Sequence, residues 1–194
     1  QNCKYNLDVR KALEAVLENY KGDRNCDEYK AFETYAKRVF FSNGIHHHYA
    51  EDKFFPECSQ EYFAGLLAAV DVENAEALLD LIYNPAVFPQ RKSTDKTGDI
   101  VAESAVNFYE GVTKAEVEKF YAAMVDPKDK TPISYGLNSK VVKGKDGVIR
   151  EEVYKVGGLY GPALEKICEE LEKAAAVAEN QTQKDYIADL VAYY

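Results

Sequence analysis

The sequence predicts an α+β fold that is predominantly helical, with a small β-hairpin or sheet element near residues 133–157. Three observations carry this prediction. Apolar residues recur at helical spacing over most of the 194 residues. One stretch is instead rich in β-branched residues around a Gly-rich turn, Gly144-Lys145-Asp146-Gly147. At 46% hydrophobic and 29% charged, the chain is globular in composition and long enough to bury a core.

The elements follow in order. Val9, Leu13, Val16, Leu17 and Tyr20 share one face of a first helix, which Gly22 ends. Tyr29, Phe32, Ala36 and Val39 recur at helical intervals, so a second helix runs from about Asp27 to Phe41. Ser42-Asn43-Gly44 closes it with residues that tolerate a left-handed turn. Ser59 is a good N-cap for a short third helix. A fourth carries Leu78, Leu81 and Ile82 and stops at Asn84-Pro85. Residues 84–99 read as loop, followed by a helical stretch through Ala105 and Phe108.

Thr113 and Glu116 have the spacing of a capping box ahead of Val117, Phe120, Tyr121 and Met124. Asp126-Pro127 ends that helix, and Pro132 bounds a polar loop. The hairpin follows, and Gly157-Gly158 breaks its second strand. Pro162 suits the first turn of a helix bearing Leu164, Ile167, Cys168 and Leu171. After Asn180, Thr182 and Asp185 cap a last helix with Ile187, Leu190 and Val191 on one face. This divides the chain into a helical part, 1–132, and a hairpin with two helices, 133–194.

Charge and composition narrow the function. There are 33 acidic against 24 basic residues, a net charge of −9. That weighs against nucleic acid or an anionic membrane as partner. No window approaches the ~18 apolar residues of a membrane span. Cys3, Cys26, Cys58 and Cys168 contain no C-x-x-C pair, which argues against a zinc ribbon or redox motif. Their scarcity favours a reducing cytoplasm, and Cys168, on an apolar stripe, is expected to be a buried thiol. The chain starts at Gln1 and ends at Tyr194 inside an unfinished helix, so it is expected to be an excised piece of a longer protein.

All three histidines are consecutive, His46-His47-His48. Imidazole is the commonest zinc ligand, but neighbours on a strand face opposite ways and on a helix diverge by about 100°. At most His46 and His48 converge, and no distant histidine can complete a site. We therefore expect no metal site in this chain. There is no G-x-S-x-G, no Walker loop and no G-x-G-x-x-G. The more informative feature is the crowd of rings around the triplet: Phe40, Phe41, Tyr49, Phe54 and Phe55. Aromatic and imidazole groups on a loop either line a binding cleft or pin the loop to the core.

The run Phe41-Ser42-Asn43-Gly44-Ile45-His46-His47-His48-Tyr49, followed by Lys53-Phe54-Phe55-Pro56, resembles the N-terminal part of bacterial dipeptidyl-peptidase III. The opening Gln1-Asn2-Cys3-Lys4-Tyr5-Asn6-Leu7 and the segment from Gly158-Leu159-Tyr160-Gly161-Pro162 to Leu171-Glu172-Lys173-Ala174 are similar to the same family. Eukaryotic members lack the His triplet. The resemblance implies a zinc exopeptidase that releases dipeptides from the N-terminus of short peptides and closes two lobes over a cleft. In that family the zinc is held by an H-E-x-x-G-H or H-E-x-x-x-H helix, with a further Glu, in the upper lobe. No such motif occurs here. The resemblance thus implies a lower-lobe N-terminal fragment, whose parent uses zinc and an oligopeptide substrate and whose partner is the missing zinc-binding lobe. The chain alone is expected to bind no cofactor and to be inactive. Tyr49 matches the family's cleft-facing aromatic, and His48 and Asn43 stand near it as further substrate-binding residues. The alternative from the residues themselves is a stand-alone helical protein-binding module that grips a partner with its His/Tyr loop.

Overall fold

The computed structural model of the protein describes residues 3–131 and 134–194. The chain forms two compact units that divide between Asn107 and Phe108. This lies well before the boundary expected from sequence, at 132 and 133, and those two residues are outside the described ones. The physical reason is a strand pairing. Tyr109 and Glu110 pair with Val141 and Val142, so the segment before the hairpin belongs with it.

The first unit holds helices α1 (Asn6–Asn19), α2 (Asp27–Ser42), α3 (Gln60–Ala68), α4 (Ala75–Tyr83) and a single turn, α5 (Ile100–Glu103). The periodic faces pack together as the spacing requires. Val9, Leu13 and Val16 of α1, Phe32, Ala36 and Val39 of α2, Phe63 and Leu67 of α3, and Leu81 and Ile82 of α4 are all buried in one core. At its centre the Phe63 ring meets Phe32 edge-on at 5.2 Å, Tyr35 at 6.1 Å and Tyr83 at 5.9 Å. Tyr83 also donates its hydroxyl to the Cys58 and Ser59 carbonyls, at 3.0 and 3.2 Å. The predicted cap on α3 is made by Ser59 Oγ, which accepts from the Tyr62 N–H at 3.2 Å.

The expected helix through Ala105 is cut to α5. The Ala105 N–H donates to the Arg91 carbonyl at 3.0 Å, and the Ala105 carbonyl accepts from the Lys4 N–H at 2.7 Å. Both groups are thereby diverted from a helical ladder to neighbouring loop segments.

The end of α2 positions the histidine loop. Asn43 adopts φ +53°, the Gly44 N–H reaches the Val39 carbonyl at 2.9 Å, and the Asn43 N–H reaches that of Phe40 at 3.3 Å. This is a Schellman ending, which satisfies the last carbonyls of the helix. Gly44 has φ +151°, and a Cβ built there would stand 2.6 Å from Asn6 Oδ1. Gly44→Ala is therefore expected to cost about 2–3 kcal/mol by backbone strain and displacement of Asn6. Urea unfolding checks this. A loss below about 0.5 kcal/mol would mean that the turn adapts freely.

The second unit contains β1 (Tyr109–Glu110), α6 (Lys114–Ala122), β2 (Ser139–Lys143), β3 (Ile149–Val153), α7 (Gly161–Ala176) and α8 (Gln181–Tyr193). β2 and β3 are the predicted hairpin, antiparallel with Val141 opposite Glu151. Gly147, at φ +77°, turns the chain between them. β1 adds a third strand, parallel to β2, so the sheet order is β1-β2-β3. The capping box of α6 is formed in both directions, with Thr113 Oγ1 accepting from Glu116 N–H and Glu116 Oε2 from Thr113 N–H. The cap of α8 is Asn180, which accepts from the Gln183 N–H at 2.9 Å, and not Thr182. Cys168 is half-buried, not buried, because α7 and α8 pack chiefly on each other and bury only Gly161 and Ile187. Among the described residues no helix is long and apolar enough to cross a membrane.

Candidate functional site

The loop after α2 is a tight ribbon pinned from both sides. Ile45 is buried, and its carbonyl accepts from the Phe54 N–H at 2.8 Å. His46 pairs antiparallel with Lys53, and the His47 N–H donates to the Asp52 carbonyl at 2.7 Å. The outer side of this ribbon pairs with residues 89–91. The Lys53 N–H donates to the Pro89 carbonyl at 3.1 Å, and the Arg91 N–H to the Glu51 carbonyl at 3.0 Å. Arg91 Nη2 also holds Glu51 Oε1 at 2.6 Å, which keeps that carboxyl below its usual pKa.

Lys53 anchors the ribbon to the core. It is 7% exposed, and its Nζ donates to the carbonyls of Leu81, Asn84 and Val87 at 2.8, 2.6 and 2.6 Å. The Leu81 carbonyl has no helical donor because residue 85, four positions on, is proline. The ammonium replaces the missing N–H and sits against the negative end of α4. Burial pushes the Lys53 pKa down, while Asp80 opposes this.

His46 parts company with the other two histidines. His46 is 3% exposed, and its Nε2–H donates to the Phe88 carbonyl at 2.9 Å. His47 turns outward and caps its own turn, with Nδ1 accepting from the N–H groups of Tyr49 and Ala50 at 3.2 and 3.1 Å. His48 stacks on His47 at 4.9 Å between ring centroids, with planes 19° apart. The one pair that could converge by sequence spacing, His46 and His48, is thus divided between core and surface. Among the described residues no three His, Cys, Asp or Glu side chains are grouped to hold a metal ion.

Half-buried His48 is the hub of a group of rings whose outer members face solvent. Tyr49 lies 4.2 Å from it and Phe41 meets it edge-on at 5.2 Å. Phe41 and Tyr49 are 80% and 83% exposed. Behind them His47 meets Phe54 edge-on at 5.9 Å, and Phe54 packs on the core. Ser42 Oγ lies 3.4 Å from His48 Nδ1. The result is a platform of π faces with polar edges, carried by a rigid loop. Such a surface can pack apolar or aromatic side chains and bond peptide groups.

Of the residues expected from sequence, Tyr49 and His48 come together here. Asn43 is not in the ring group; it is the left-handed cap of α2, and its carbonyl accepts from Asn6 Nδ2 at 2.7 Å. Phe41 and His47 complete the platform, and sequence reasoning does not single them out as site residues. A signal for Phe41 exists all the same. Phe32, Ala36, Val39 and Phe40 follow the core face, and Phe41 falls on the opposite side of the helix from Phe32. A concavity of about 660 Å³ lies elsewhere in this unit, between α1 and α4 beside Tyr5 and Phe88. The sequence matches no protein-family model and no curated protein.

Proposed function

We propose that the chain supplies a peptide-binding surface, and that it does so as the N-terminal, lower-lobe part of a dipeptidyl-peptidase III-like zinc exopeptidase. The observation that supports this reading best is the Phe41–His48–Tyr49 platform, two of whose rings stand almost wholly in water, on the last turn of α2 and on a loop held by several backbone hydrogen bonds. Exposing that much aromatic surface on a pinned loop is costly unless a ligand covers it. In this reading the platform forms one wall of a cleft. The zinc, the water it activates and the opposite wall belong to the lobe that the resemblance places after this chain. A cytoplasmic location and an oligopeptide substrate are part of the same proposal.

The experiment is a titration of the purified chain with short apolar peptides, followed by NMR shifts. Shifts should concentrate at Phe41, His48 and Tyr49. Phe41→Ala and Tyr49→Ala should each weaken binding about tenfold, from about 1.4 kcal/mol of lost ring contact. Both residues are exposed, so unfolding stability should stay within about 0.5 kcal/mol. Unchanged affinity in both variants would remove the site.

The openness of the platform also fits the second reading, a helical module whose rings engage a folded protein partner. A surface that ignores short peptides yet retains one defined protein in a Tyr49-dependent way would favour that reading.

A further inference from the structure

A second polar feature lies beneath the platform. A cavity of about 20 Å³ is lined by Cys3, Ser42, Asn43, Gly44, His46 and Arg91. Two buried polar atoms of its lining residues, His46 Nδ1 and Arg91 Nε, have no hydrogen-bond partner among the described residues. A third, Asn6 Oδ1, is also unpartnered and lies against Gly44 on the cavity wall. Their chemistry is complementary. His46 already donates from Nε2 to the Phe88 carbonyl, so the neutral ring offers Nδ1 as an acceptor. Arg91 Nε carries an N–H donor, while its Nη2 is engaged by Glu51. Asn6 commits its amide nitrogen to the Asn43 carbonyl and leaves Oδ1 as an acceptor.

A donor and an acceptor on two lining residues, with a further acceptor beside Gly44 of the wall, fit a ligand that accepts once and donates twice. We propose that this cavity binds a single water molecule, which accepts from Arg91 Nε–H and donates to His46 Nδ1 and Asn6 Oδ1. A buried water typically makes about three hydrogen bonds, and a volume above roughly 10–15 Å³ is enough to hold it. An orphaned buried polar group is costly, so the molecule is strongly held. The bridge ties two segments to the platform loop at His46: α1 through Asn6, and the stretch around Arg91. It therefore keeps the rings of His47, His48 and Tyr49 presented, a role that rests on the peptide-binding reading, whereas the water site does not.

The bridge is sensitive to protons. Burial lowers the His46 pKa, Lys53 and Arg91 lower it further, and the Phe88 carbonyl and Glu51 oppose them. Cys3 faces the same space from the N-terminal segment, and Lys92 stands within 3.7 Å of Glu51. A folded-state pKa below the usual 6.5 means that the neutral ring is favoured by folding. Its contribution is complete above about 6.5 and is lost as pH falls through the folded value. Protonation turns Nδ1 from acceptor into donor and places a second cation beside Arg91.

High-resolution crystallography and NMR of the whole chain test the proposal. The expected density is one water within about 3.2 Å of both His46 Nδ1 and Arg91 Nε. In solution, His46 should be the Nε2–H tautomer above pH 7 and give a water cross-peak at Hε1, the ring proton next to Nδ1. That cross-peak should be lost in acid as His46 protonates, and lost at every pH in Arg91→Lys, which keeps the charge but removes the Nε–H. A dry cavity, a halide in its place, the opposite tautomer, or a cross-peak indifferent to both pH and Arg91→Lys would overturn it. The crystal and tautomer readouts use the native chain, so they stand even if the variant folds poorly. They also stand if the platform binds no peptide.

Discussion

Phe63→Ala is expected to destabilise the first unit by about 3–5 kcal/mol. Phe63 has no exposed surface and touches the rings of Phe32, Tyr35 and Tyr83 at centroid distances of 5.2 to 6.1 Å. Truncation loses the transfer energy of the ring and leaves a cavity walled by other rings, which cannot easily collapse. Three edge-on contacts, worth about 0.5–1.5 kcal/mol each, are lost with it. A domain's total stability is only about 5–15 kcal/mol, so the variant should be near the threshold of folding. Urea melts followed by circular dichroism give the number. Phe63→Leu, which keeps most of the volume, should lose less than half as much. A cost below about 1 kcal/mol for the alanine would show that the aromatic core repacks.

The second large effect is expected at Lys53. Two effects oppose each other there. Burying an ammonium costs several kcal/mol, and methionine, of similar length, would relieve that. Against it stand three carbonyl acceptors, those of Leu81, Asn84 and Val87, each served by Nζ. Hydrogen bonds to a charged group contribute about 1.5–3 kcal/mol each, and buried acceptors left bare are costly. The Leu81 carbonyl has no backbone alternative because Pro85 has no N–H. The three acceptors outweigh the relief, so Lys53→Met should cost about 3 kcal/mol. Thermal and urea unfolding should both register it. The loop should loosen as well, since Lys53 pairs with His46 across the ribbon. A methionine variant as stable as the native chain would mean that relief of desolvation matches or exceeds the lost hydrogen bonds.

Lys53 illustrates what was legible and what was not. The proline four residues after Leu81 predicts an orphaned carbonyl at the end of α4, and α4 does end there. The donor that satisfies it comes from 28 residues earlier in the chain, a distance at which spacing carries no information. The histidine triplet is similar. Strand or helix geometry would part adjacent residues, yet His47 and His48 stack in the turn and it is His46 that parts from them. Which histidine goes inward depends on Phe88 and Arg91, more than forty residues on.

The strand that redraws the unit boundary is short, and two residues, Tyr109-Glu110, are too few to show a period. Its existence depends on the exposed edge of β2, to which it adds. Cys168 reads as core because its helix is amphipathic. Periodicity marks the apolar face of a helix but not how deeply its partner covers it.

Local chemistry along the chain thus dictates the α+β class, the hairpin, the Schellman end of α2, the Ser59 cap and the Thr113–Glu116 box. These depend on groups within a few residues of one another, where hydrogen-bond and side-chain periods are set by backbone geometry alone. The same chemistry marks the crowded loop at residues 41–55. Packing, by contrast, settles that Phe41 and Tyr49 face water around a half-buried His48, that His46 and Lys53 become buried polar anchors, and that the chain divides after Asn107. Each of those outcomes turns on a partner brought near from a distant part of the chain, and a polar group's burial is stable only where that partner exists.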